Sequence, residues 1–144
     1  MITIGCDIHV HIEVKMEGEW RHYSNPHVER NYRLFSLMAD VRNYKDLEPI
    51  SQPKGLPSDV TYLTRVDHEH WGVDVHDESY LTIGELIELK YRWKKLNHKN
   101  PMNEFLEIVF HTYVFSRGIT GWYEYPSDNH MDIEDLRIVF WFDN

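Results

Sequence analysis

The sequence predicts a single α+β domain: a mainly antiparallel sheet that includes the first and last strands, covered by two or three helices. Three features lead there: a strictly alternating strand near the start, a capped amphipathic helix past the middle, and a β-branched, aromatic strand at the end. All 144 residues fit one domain with a core of its own. No repeat, low-complexity tract or linker divides residues 1–144.

The elements follow in order. From Asp7 to Lys15 the residues alternate, Ile8, Val10, Ile12 and Val14 on one side and Asp7, His9, His11, Glu13 and Lys15 on the other, the mark of a strand with one buried face. Glu17-Gly18-Glu19 turns into a second short strand, Trp20 to Tyr23, to close a hairpin. Tyr32, Leu34, Phe35, Leu37, Met38 and Val41 give a short helix its apolar face. Asn43 to about Asp67, with Pro49, Pro53, Pro57 and Gly55, reads as a long irregular loop, a length often tied to function. Thr82 and Glu85 form a capping box for a helix from Ile83 to about Leu96. Asn100-Pro101 opens another helix, to about Ser116, and Leu136 to Phe142 is the closing strand. Helices on one face of such a sheet would leave the polar side of the first strand open.

Composition narrows the function classes. Fifteen Lys and Arg against twenty-four Asp and Glu give a net charge of −9, the wrong balance for a long footprint on DNA or RNA. A small anionic ligand stays possible, because a few cations in a pocket create a local positive potential. The single cysteine, Cys6, rules out an intramolecular disulfide and suits a reducing cytoplasm. Met1 runs straight into strand-like sequence, so neither a secretory leader nor a membrane span is expected. The high aromatic share, 14%, suits a homo-oligomer or stacking on planar ligands.

Two clusters can carry chemistry. Asp7, His9, His11 and Glu13 project from one side of one strand. Imidazole and carboxylate groups at such spacing can bind a divalent metal, with Asp7, His9 and His11 as ligands, or act as general acid and base. The alternative is a solvated strand face. The second cluster runs from Asp67 to Tyr80, with Asp74 and His76 as its candidate pair, ahead of a helix whose positive end can receive an anion. The alternative there is an acidic loop. Arg30, Arg42 and Lys54, with Asn43, are candidate phosphate anchors. Trp71, Tyr80, Trp122 and Tyr123 are candidate base-stacking rings. Cys6 is expected as a small buried hydrophobe and His111 as a core histidine. No phosphate-binding glycine loop, dinucleotide fingerprint, zinc-protease helix or nucleophile elbow is present.

Gly5-Cys6-Asp7-Ile8-His9 resembles the opening strand of the "GCDIH" family of small proteins found in phages, prophages and bacteria. The likeness continues through Arg30-Asn31-Tyr32-x-Leu34-Phe35, Ala39-x-Val41-Arg42-Asn43 and Pro53-Lys54-Gly55-Leu56-Pro57-x-Asp59. It runs on to Trp71-Gly72-x-Asp74-x-His76 and Ser79-Tyr80-Leu81-Thr82, then to Arg137-Ile138-Val139-Phe140-Trp141-Phe142. Where the family carries Asp-Gly-His-Ser, this chain has Asp74-Val75-His76-Asp77. The resemblance implies a phage-type counter-defence protein in the bacterial cytoplasm. The leading expectation is a phosphodiesterase that cleaves a small nucleotide signal, cyclic nucleotide or cyclic oligonucleotide, with Asp7, His9, His11, Asp74 and His76 as catalytic residues. The alternatives are a sponge that sequesters such a signal uncleaved, and an acidic inhibitor of a host protein.

Overall fold

The computed structural model describes residues 4–116 and 133–144. Four strands, β1 (Asp7–Met16), β2 (Glu19–Ser24), β3 (Val75–Thr82) and β4 (Asp135–Asp143), form one antiparallel sheet in the order β2-β1-β4-β3. Four helices accompany it among the described residues: α1 (Tyr32–Ala39), α2 (Tyr62–Trp71), α3 (Ile83–Leu96) and α4 (Glu104–Ser116). The fold is α+β, as the sequence predicts. The first and last strands are central neighbours, in register from Asp7 opposite Asp143 to Lys15 opposite Asp135.

Alternation decides what each side of the sheet packs against. Ile8, Val10, Ile12 and Val14 of β1 and Leu136, Ile138, Phe140 and Phe142 of β4 share one face. Over it lie Leu34, Phe35 and Met38 of α1, Leu86 and Leu89 of α3, and Leu106 and Val109 of α4. Local signals set the helix ends. The Asn31 side chain accepts from the Leu34 N–H at 3.1 Å, and Asp40, at φ +59°, ends α1 in the left-handed region. At α3 the Thr82 hydroxyl accepts from the Glu85 N–H at 3.3 Å and the Glu85 carboxylate from the Thr82 N–H at 3.1 Å. Glu85 thus supplies the anion at this helix start, and Lys54 Nζ, 2.5 Å from it, neutralises that charge.

Three expectations need correction. The irregular stretch after Asn43 ends at Thr61, and Tyr62–Trp71 is helical. The acidic stretch to Tyr80 is no loop: Gly72–Asp74 is a 3-10 turn and Val75–Thr82 is β3, with a bulge between His76 and Ser79 where Asp77 takes φ +54°. Finally α4 starts at Glu104, with Asn103 as its cap (Leu106 N–H to Asn103 Oδ1, 3.1 Å), so Pro101 precedes the helix.

The polar side of β1 is not open either. The segment around Asp59 and α2 covers it, because its charges find matched partners there. Glu13, wholly buried, accepts from the Arg137 guanidinium at 2.8 Å, from the Thr61 N–H at 3.0 Å, and from the Thr61 and Thr64 hydroxyls at 2.5 and 2.8 Å. Arg137 also holds Asp59 at 2.8 Å and lies over the Trp20 ring at 4.0 Å. Its hydrogen bond holds the Asp59 carboxyl below the usual carboxylate range. A carboxylate this deep survives only because every lone-pair direction has a donor.

Candidate active site

On the α2 side of the sheet, register sets Trp141 beside His9, Val139 beside His11 and Arg137 beside Glu13. His9 Nε2 hydrogen-bonds Asp143 Oδ2, and its ring leans on Trp71 of α2, centroids 4.0 Å apart. His11 is buried, its Nε2 2.7 Å from Asp67 Oδ2 and its Nδ1 2.9 Å from His22 Nε2. It stacks on Trp141 at 5.3 Å. Burial, and then the His11 ring beside it, hold His22 below the ordinary imidazole range. Two histidines are thus each oriented by a carboxylate, the arrangement that fixes a tautomer and a ring direction for proton transfer.

Both residues line a cavity of about 200 Å³, together with Ile8 and Val10 of β1, Asn25, Pro26, His27 and Val28, and Asp67. Its origin lies in the strand lengths. β2 stays paired with β1 only up to Ser24 opposite Ile12, after which the chain runs on irregularly beside the remainder of β1. Pro26 has no N–H to extend the ladder.

The other expected site residues have separate partners. Asp7 accepts from Arg30 at 3.0 Å. Arg30 lies so close over Gly5 that a Cβ there would stand 2.0 Å from the guanidinium. Arg42 donates to the Ile4 carbonyl at 2.7 Å and covers the Tyr32 ring. Asn43 ties Asp40 to the Leu47 backbone. Lys54 sits between Glu85 and the Tyr80 ring, 4.3 Å from the latter. Asp74 is exposed on the 3-10 turn. His76 pairs with Phe142, which faces the hydrophobic core, and bonds Asp77 at 2.7 Å and Asn144 at 3.0 Å. The structure therefore joins His9, His11 and Trp71, and leaves His76 on the opposite face of the sheet. Trp122 and Tyr123 lie outside the described residues.

Asp7, His9 and His11 do not converge as a chelate. Successive outward positions on a strand are about 6.8 Å apart, and each of the three turns to a different partner. Among the described residues no group of three His, Cys, Asp or Glu is placed to hold a metal ion. Cys6 is buried as expected, and burial pushes its thiol up, away from nucleophile chemistry. His111, expected in the core, is on the exposed side of α4.

Sequence reasoning missed Asp143, His22 and His27, and named Asp67 only as part of the second cluster. Asp143 had a signal: the alternation of β4 places it on the face of Arg137 and Trp141. His22 had a weaker one, as a residue of the second strand of the hairpin. Asp67 stood at the start of the second cluster, but only tertiary contact pairs it with His11, and His27 had no signal. Comparison with protein-family models, curated proteins and solved structures finds no match to this chain.

Proposed function

We propose that the chain is a hydrolase that cleaves a small phosphodiester, a cyclic nucleotide or cyclic oligonucleotide signal, by histidine general acid–base chemistry, in the counter-defence setting that the GCDIH resemblance suggests. The reading is carried by one observation: His9 held by Asp143 and His11 held by Asp67 face the same small cavity. His9, with its side chain 20% exposed, is the base that takes a proton from water as the oxygen attacks phosphorus. His27, across the cavity and exposed, gives a proton to the departing oxygen. His11 has both ring nitrogens engaged, so it is a positioning residue that fixes the wall between them. One P–O bond forms, one breaks, and the proton lost by water is matched by the one gained by the leaving alcohol.

The test is mass spectrometry on cyclic mono-, di- and trinucleotides incubated with the protein, half of each sample being heat-denatured before filtration. A linear product in both halves is the expected result. His9→Ala and Asp143→Asn should each slow its formation by roughly a hundredfold or more with an unchanged circular dichroism spectrum. Ligand released intact by heat would mean a sponge instead, and ligand unchanged throughout would remove nucleotide signals of this class.

A further inference from the structure

The cavity's place in the fold bears on which phosphate ester it accepts. It is lined by four consecutive residues of β1, Ile8 to His11. Successive side chains of a strand point to opposite faces, so a space that touches all four lies in the plane of the sheet, at the strand's edge. It is the position a longer β2 would have filled. Among the described residues no backbone hydrogen bond joins Asn25–Val28 to this edge, which leaves peptide groups of β1 facing the slot.

Charge is the second observation. Among the described residues no Lys or Arg lines the slot. The ionisable groups they place there are three imidazoles and the Asp67 carboxylate, and Asp143 stands behind His9. The nearest candidate anchor, Arg30, lines a separate cavity that shares Pro26 to Val28 as a wall, and it is paired with Asp7. Imidazole and peptide N–H groups suit a singly charged ligand. A second negative charge would meet the Asp67 carboxylate with no Lys or Arg among the described lining residues to balance it.

We propose that this in-plane slot is selective for the phosphodiester monoanion over the phosphomonoester dianion, so that the product's extra charge drives it out. The selectivity rests on the hydrolase reading only for its biological use, since binding can be measured without turnover. The experiment follows the imidazole ¹⁵N signals of His9, His11 and His27 in the full chain at a pH where monoesters are dianions. Dimethyl phosphate and methyl phosphate are titrated separately. Dimethyl phosphate should shift all three rings, methyl phosphate should bind roughly tenfold more weakly, and Asp67→Asn should narrow that gap. Equal or tighter binding of methyl phosphate would overturn the selectivity, as would silence of the three rings with both esters. Ester binding with no cleavage of any cyclic nucleotide would keep the slot and remove the hydrolase. Cleavage with silent rings would do the reverse.

Discussion

His9 and His76 show how little a residue type says without its side of the sheet. Each is a strand histidine hydrogen-bonded to an aspartate, His9 to Asp143 and His76 to Asp77. Yet His9 opens on the cavity beside β1, whereas His76 stacks on Phe142 at the edge of the hydrophobic core. His76→Ala should therefore leave turnover within about twofold of wild type, the range of a substitution away from the reacting groups, while His9→Ala removes it. A loss at His76 equal to that at His9 would restore the shared site expected from sequence. The same separation governs the metal question. Because Asp7 is engaged by Arg30 and His11 by Asp67 and His22, a chelator should leave the rate unchanged. Loss on EDTA treatment, with recovery on adding Mn²⁺, would mean that these side chains rearrange into a chelate.

At the scale of elements, α2 decides whether the site exists. It buries only Thr64, so it has no apolar stripe to hold it down and depends on polar contacts: Thr61 and Thr64 to Glu13, Asp67 to His11. Glu13→Gln would leave the buried Arg137 short of its strongest counter-charge and should cost about 3–5 kcal/mol, read from urea unfolding. A cost under about 1 kcal/mol would mean that the threonines and Asp59 suffice without the charge. The same feature explains what the sequence concealed. β1 was legible because its apolar face imposes strict alternation, β4 because its β-branched and aromatic content marks a strand buried on both faces, and α3 because its capping box is local. α2 was hidden because Tyr62–Trp71 meets the sheet through hydroxyls, imidazoles and an indole, which hydrophobic periodicity does not register. β3 was hidden because the Asp77 bulge shifts its alternation midway. His9 and His11 were visible on their strand, but Asp67 is 56 residues from His11 and Asp143 is 134 from His9, and no local pattern spans such gaps.

Over the whole molecule the charge of −9 sets the terms on which an anionic substrate arrives. Three of the cations that might have formed a positive funnel are paired, Arg30 with Asp7, Lys54 with Glu85 and Arg137 with Glu13 and Asp59, and Arg42 is held by the Ile4 carbonyl. The long-range field is therefore repulsive, and binding is left to short-range donors in the slot. Repulsion of this kind acts on encounter and is screened by salt. The Debye length falls from about 30 Å at 0.01 M to about 8 Å at 0.15 M ionic strength. For a phosphodiester anion, kcat/KM should thus rise roughly two- to fivefold between those salt concentrations, with kcat nearly constant because the reacting groups lie well inside one Debye length. An enzyme that tracks nucleic acid through a basic stripe shows the opposite slope. A steady fall of kcat/KM with added sodium chloride would mean that a positive patch guides the substrate, and would return Arg30, Arg42 and Lys54 to the role of phosphate anchors. A rise would leave recognition to the short-range donors of the slot beside β1.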